Sequence, residues 1–213
     1  AVVDADVAVV PLVRDFLSRE PGAVFVADVR CSWGVRDYVT KLGGRLEMAA
    51  CGYPFILDRM RLTCAVMGFE TTGHYYFRNP DIKFDDASFA AGMLVCAVAR
   101  AGKKLSEILA EAPRYYPARE ERMQCADDLK FEVVERVKER LAGDGRVKGL
   151  LLEDGVRAEF EDGWVLIRAS NTAPQIVMEW EGRSEGAREQ IGKEAVRLVE
   201  EQMQEAAKGK GGG

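Results

Sequence analysis

The chain has 213 residues, 47% of them hydrophobic and 31% charged, with a formal net charge of −5. That length suits one large or two small globular domains. The acidic balance argues against a nucleic-acid surface, which carries a basic excess. No run of about 18 apolar residues is present to cross a bilayer.

The opening Ala1-Val2-Val3-Asp4 lacks the basic start and cleavage pattern of a signal peptide, and the missing initiator Met points to a fragment or a processed end. Leu12 to Leu17 is amphipathic and stops at Pro21-Gly22, where proline and glycine break a helix. Ala23 to Ala27 reads as a buried strand, Trp33 to Leu42 as a helix closed by Gly43-Gly44, and Leu46 to Ala50 as a weaker strand. Pro54 to Leu62 is a short helix with Pro in its first turn, followed by the buried run Cys64 to Phe69 and the extended His74-Tyr75-Tyr76-Phe77. Asp86 to Arg100 is a long apolar helix ended by Gly102. Strand and helix alternating at this spacing predict a three-layer α/β domain with a mixed sheet over residues 1–113.

Arg114-Tyr115-Tyr116-Pro117 reads as a linker, after which the pattern changes. Asp127 to Leu141 is an amphipathic helix with alternating charge outside. Three or four short strands follow, joined by turns at Glu153-Asp154-Gly155 and Glu161-Asp162-Gly163. Ser184 to Ala207 is a final helix with Ser184 as its N-cap. Residues 114–207 therefore predict an α+β domain, an antiparallel sheet with helices on one face, and 208–213 a disordered tail.

The five cysteines, Cys31, Cys51, Cys64, Cys96 and Cys125, are scattered and have no metal-ligand spacing. Most sit among apolar neighbours, which predicts buried free thiols in a reducing compartment such as the cytoplasm. His74 is the only histidine, so a multi-histidine zinc site is excluded. Asp4-Ala5-Asp6 offers two carboxylates without a third or an arginine, too little to define an octahedral Mg²⁺ shell, and no metal site is assigned.

The chemistry concentrates in Arg168-Ala169-Ser170-Asn171-Thr172-Ala173-Pro174, a tight turn between the strands Trp164 to Ile167 and Gln175 to Glu181. A guanidinium clamps an oxyanion at two points, and hydroxyl and backbone N–H groups add neutral donors. A phosphate dianion suits that set, although Asn, Ser and Pro also make ordinary polar hairpins.

Several segments resemble the C-terminal half of the phosphohexomutases, the phosphomannomutase/phosphoglucomutase group. Asp28-Val29-Arg30-Cys31-Ser32 is similar to the family's Asp-Val-Lys-Cys-Ser/Thr, and Gly68-Phe69-Glu70-Thr71-Thr72-Gly73-His74 to its Gly-Glu-x-Ser-Gly-His. Phe84-Asp85-Asp86, Asp154-Gly155-Val156-Arg157 and Gly163-Trp164 follow in the family's order before Arg168 to Pro174. The resemblance runs from about Val3 to about Met203.

It implies an enzyme that moves a phosphoryl group between O6 and O1 of a hexose phosphate through a phosphoserine and a bisphosphorylated sugar. This chain would supply the third and fourth of four domains, the sugar-recognition domain and the phosphate-binding lid. Arg168, Ser170, Asn171 and Thr172 would hold the phosphate that is not transferred, and Glu70, Thr72 and His74 would contact sugar hydroxyls. Arg30 stands where the family has a lysine near the proton-transfer step; a guanidinium supplies charge there but does not readily trade a proton. On the residues alone, a satisfied loop around His74 and a surface arginine at position 30 remain open.

The family's Gly-His-Ser-x-Ile-Lys appears as Gly52-Tyr53-Pro54-Phe55-Ile56-Leu57, without the imidazole and the ammonium. The family's phosphoserine loop and its Asp-Gly-Asp-x-Asp-Arg magnesium loop have no counterpart here. The implied partners are a hexose phosphate and the missing first and second domains, with Mg²⁺ in the second. The chain alone is expected to be inactive, and a non-catalytic sugar-phosphate binding module is the alternative.

Overall fold

A computed structural model of the chain describes residues 3–79, 84–117 and 120–210. The chain divides into two compact units, Ala1–Arg114 and Tyr115–Gly213.

The first unit runs α1 (Ala5–Ala8), α2 (Val10–Arg19), β1 (Val24–Asp28), α3 (Trp33–Lys41), β2 (Arg45–Ala49), α4 (Tyr53–Thr63), β3 (Met67–Phe69), β4 (Tyr75–Phe77), α5 (Ala87–Ala101) and α6 (Leu105–Leu109). Its four strands lie in the order β2-β1-β3-β4. β1 is parallel to β2 and β3, and β4 is antiparallel to β3. Alternate side chains of a strand face opposite sides, and each side finds a helix. Val26, Ala49 and Tyr76 pack with Ile56 and Met60 of α4. On the other face Phe25 and Phe77 each meet Phe16 of α2 at 6.3 Å between ring centres, and Phe77 meets Phe89 of α5 at 5.1 Å. This is the three-layer α/β architecture with a mixed sheet. Gly68 lets α4 lie close on β3: a Cβ there would stand 2.5 Å from Ile56 Cγ2 and 2.6 Å from Met60 Sδ.

Local signals set the helix starts. The Ser32 hydroxyl accepts from the Gly34 N–H at 3.0 Å to open α3, and the Asp86 carboxylate accepts from the Phe89 N–H at 2.9 Å to open α5. The sequence gives no period long enough to announce α6. It forms because the Glu107 carboxylate accepts from the Lys104 N–H at 2.8 Å and because Ile108 and Leu109 are buried.

The second unit runs β5 (Tyr116–Pro117), β6 (Glu121–Gln124), α7 (Lys130–Ala142), β7 (Gly149–Leu151), β8 (Val156–Glu159), β9 (Gly163–Ala169), β10 (Gln175–Gly182) and α8 (Glu185–Lys210). The sheet order is β5-β10-β9-β8-β7, with β6 also paired to β10. Every pairing in it is antiparallel. Val156 and Ala158, Val165 and Ile167, and Ile176 and Met178 alternate onto one face. There they meet Val133, Val134 and Val137 of α7 and Ala195 and Val199 of α8. An antiparallel sheet with helices packed on one face results.

Three expectations need correction, and one strand, β6, was not anticipated. The linker Arg114 to Pro117 is partly strand: Tyr116 and Pro117 pair with Gly182 and Glu181 of β10. β6 was not legible because its residues, Glu121-Arg122-Met123-Gln124, carry no alternating apolar pattern; it is held by backbone pairing to Gln175 through Met178. The disordered tail does not begin at Lys208, since α8 continues to Lys210, where each added residue gains a backbone bond at little further cost; residues 211–213 lie outside the described residues. The thiols are not uniformly buried: Cys31 and Cys125 are, Cys51 is half-buried, and Cys64 and Cys96 are exposed. Apolar neighbours in sequence do not say which side of a helix faces water, and Cys96 lies on the open side of α5.

Candidate functional site

In the first unit the site is built where β1 and β3 end. Asp28, the last residue of β1, is fully buried. One carboxylate oxygen accepts from the Arg30 N–H at 2.7 Å and from Arg30 Nε at 3.1 Å. The other accepts from Arg30 Nη2 at 2.8 Å, from the Thr71 N–H at 2.9 Å and from the Thr71 hydroxyl at 3.3 Å. One carboxylate thus ties Arg30 to the loop that joins β3 and β4. Arg30 Nη2 also lies 3.9 Å from Glu70 Oε2.

The loop closes by backbone bonds: the Gly73 N–H donates to the Glu70 carbonyl at 2.9 Å, and the Glu70 N–H to the His74 carbonyl at 2.9 Å. Glu70 is buried and accepts from the Tyr76 hydroxyl at 2.8 Å. Burial, and then that carboxylate, push the Tyr76 hydroxyl above the usual phenol range. Thr72 and His74 are exposed. His74 Nδ1 is 2.5 Å from Asp85 Oδ2, and this hydrogen bond holds the Asp85 carboxyl below its usual value. The pair fixes the ring. α1 braces the same region: Asp6 accepts from the Ser32 N–H at 3.1 Å, and the Tyr75 hydroxyl donates to the Ala5 carbonyl at 2.5 Å.

In the second unit the candidate loop joins β9 to β10. The Ser170 N–H donates to the Gln175 carbonyl at 2.9 Å. The Ser170 hydroxyl oxygen accepts from the N–H groups of Thr172 at 3.3 Å and Ala173 at 3.2 Å. With both lone pairs engaged, that hydroxyl keeps only its proton to offer. Asn171 and Thr172 are exposed. Arg168 is largely covered, with 16% of its side chain exposed, and its Nη1 lies 3.9 Å from Asp154 Oδ2. Its Nε is buried and has no hydrogen-bond partner among the described residues. A buried donor left unmet costs roughly 1–3 kcal/mol.

The structure therefore gathers Arg30, Glu70, Thr72 and His74 at one end of the first sheet, and Arg168, Ser170, Asn171 and Thr172 in one turn of the second unit. Tyr53, which stands at the family's histidine position, is exposed at the start of α4, and Leu57 packs on the apolar cluster beneath it. Neither supplies charge. The sequence reading missed the roles of Asp28, Asp85 and Lys130. The first two sit inside quoted motifs as carboxylates beside cations. Lys130 was announced by its place on the apolar stripe of α7 with Val133, Val134 and Val137. A cavity of about 1040 Å³ in the second unit is lined by Arg146, Phe160, Ile191 and Glu194 among others. Val165 and Ile167 of β9 also line it, and none of the eight candidate residues does. Its Arg146 and Glu194 satisfy each other at 2.9 Å.

Residues 4–116 match the family model for the phosphoglucomutase/phosphomannomutase alpha/beta/alpha domain III, and residues 96–198 match the model for the phosphoglucomutase/phosphomannomutase C-terminal domain. The chain belongs to the phosphoglucomutase/phosphomannomutase family. All eight candidate residues fall inside the matched ranges. A phosphomannomutase/phosphoglucomutase of Pseudomonas aeruginosa is 30% identical over 179 residues, which is 84% of this chain and 38% of that protein. A probable phosphoglucosamine mutase of Methanopyrus kandleri is 33% identical over 188 residues, 88% of this chain and 40% of that one. The crystal structure of a phosphoglucomutase/phosphomannomutase family protein from Burkholderia thailandensis superposes with a TM-score of 0.82 at 25% identity, over 95% of this chain and 42% of that one. The chain thus spans about two fifths of the length of the family members it matches.

Proposed function

We propose that this chain is the sugar- and phosphate-recognition half of a phosphohexomutase, an isomerase that interconverts hexose 6-phosphate and hexose 1-phosphate by intramolecular phosphoryl transfer. Arg168, Ser170, Asn171 and Thr172 hold the phosphate that stays in place. Glu70, Thr72 and His74 grip sugar hydroxyls, a carboxylate accepting and an imidazole donating or accepting as its tautomer requires. Arg30 supplies fixed positive charge. Holding the remote phosphate gives positioning energy that is used at the reacting centre. The phosphoserine and the Mg²⁺ that compensates phosphoryl charge come from domains outside these 213 residues, in a cytoplasmic setting.

The observation that carries the reading is the Arg168 guanidinium, whose buried Nε lacks a hydrogen-bond partner among the described residues, beside a turn whose Ser170 hydroxyl can only donate. Calorimetric titration of the chain with glucose 6-phosphate tests it. Arg168→Ala removes a charged hydrogen bond worth about 1.5–3 kcal/mol, a loss of roughly 10- to 150-fold in affinity. Equal affinities for the variant and the parent would show that the loop is not the phosphate site.

A second reading, a sugar-phosphate binding module without turnover, is favoured by the two-point grip of Asp28 on Arg30, which holds that cation away from proton exchange. Mutase activity on joining the chain to the family's first two domains decides between them.

A further inference from the structure

Lys130 opens α7 and shares its core-facing stripe with Val133, Val134 and Val137. An ammonium in that position is costly unless all its donors are met. It is 5% exposed. Three oxygens match its three N–H bonds: the Ser170 carbonyl at 2.6 Å, the Ala173 carbonyl at 3.1 Å and the Asp127 carboxylate at 2.7 Å. Two of the three belong to the candidate phosphate turn.

We propose that Lys130 is a positioning residue for the anion site: by drawing the Ser170 and Ala173 carbonyls into the body of the domain, it turns the donors of the 170–173 turn toward the guest. The proposal rests on the reading of that turn as a phosphate site. Carbonyl oxygens repel an anion, and a bend this tight presents some of them to its guest unless donors hold them back. Lys130 holds the first and last carbonyls of the turn with one ammonium and places a positive charge behind it. Backbone bonds fix the flanks, from the Ser170 N–H to the Gln175 carbonyl at 2.9 Å and from the Cys125 N–H to the Pro174 carbonyl at 2.9 Å. Asp127 is 71% exposed and serves as the outer, dispensable partner.

The test is a titration of the ¹⁵N-labelled 213-residue chain with inorganic phosphate, followed at the Asn171 and Thr172 amide resonances. Lys130→Met raises the dissociation constant at least about tenfold while the remaining amide spectrum is retained. Lys130→Gln, whose amide group still donates to the carbonyls, falls between Lys130→Met and the parent. Asp127→Asn stays within about twofold, as an exposed partner should. A merely structural lysine would lower the melting temperature and leave the phosphate affinity of the folded chain unchanged. Binding by Lys130→Met within about twofold of the parent, or by Lys130→Gln where the Met variant does not fold, overturns the inference while the phosphate reading stands. Parent chain amides that do not respond to phosphate overturn both.

Discussion

Asp28→Asn is the sharpest test of how the first unit is held together. The substitution keeps shape and turns one carboxylate oxygen into an NH₂ group. The two oxygens of Asp28 accept from the Arg30 N–H at 2.7 Å and Nε at 3.1 Å on one side, and from Arg30 Nη2 at 2.8 Å and the Thr71 N–H at 2.9 Å on the other. Whichever way the amide is turned, its NH₂ meets two N–H donors. Two hydrogen bonds become repulsive contacts, and a guanidinium with only 12% of its side chain exposed loses its counter-charge. Breaking such a pair costs about 3–5 kcal/mol. Glu70 Oε2, 3.9 Å from Arg30, can move in as a substitute, which places the expected loss near the lower end, about 3 kcal/mol. With a urea dependence of about 1–3 kcal/mol per molar, the unfolding midpoint of the first unit falls by roughly 1–3 M. Urea titration followed by circular dichroism, with hydrogen exchange of the Thr71 amide as the local probe, reads both effects. A midpoint within about 0.3 M of the parent and an unchanged Thr71 exchange rate would refute the claim that Asp28 anchors the loop.

Two further outcomes follow from other parts of the molecule. Gly155 has φ +71°, and a Cβ there would lie 2.4 Å from the Ile167 carbonyl and 2.7 Å from Arg168 Cβ, so Gly155→Ala combines left-handed strain of about 1–2 kcal/mol with a clash against the Arg168 backbone. The second unit should melt at least about 4–8 °C lower and bind phosphate more weakly; unchanged melting would show that the turn relaxes freely. Burial raises the Asp15 carboxyl, but the forks of Arg100 and Arg19 outweigh it and leave the group below its usual value. Stability from Asp15 is therefore complete above the unfolded carboxyl value near 4 and is lost as pH falls through the lower folded value. Asp15→Asn should flatten the acid limb of a stability-against-pH curve below about pH 4, whereas parallel curves for variant and parent would exclude the linkage.

The parts of the fold legible in sequence are those whose apolar period is set locally. β1, α3, α7 and β9 follow from runs such as Val24 to Ala27 or the Val133, Val134, Val137 stripe. β5 and β6 were opaque because pairing with β10, a strand more than 50 residues later, makes them strands. The same division holds at the site. Arg168, Ser170 and Glu70 were visible as donors and acceptors in compact motifs. Asp28 and Lys130 act through space, across |i−j| of 43 and 40 residues, and nothing in the intervening chain says that they meet.

The uneven exposure of the thiols gives each unit its own chemical signature. Cys64 sits in a left-handed cap with φ 54° and Cys96 on the open side of α5, both in the first unit and both within reach of an alkylating reagent. The second unit holds only Cys125, which is buried, and two of the tryptophans, Trp164 and Trp180. A maleimide dye would thus decorate one unit and leave the other dark, so that melting of the two could be watched separately in a single cuvette.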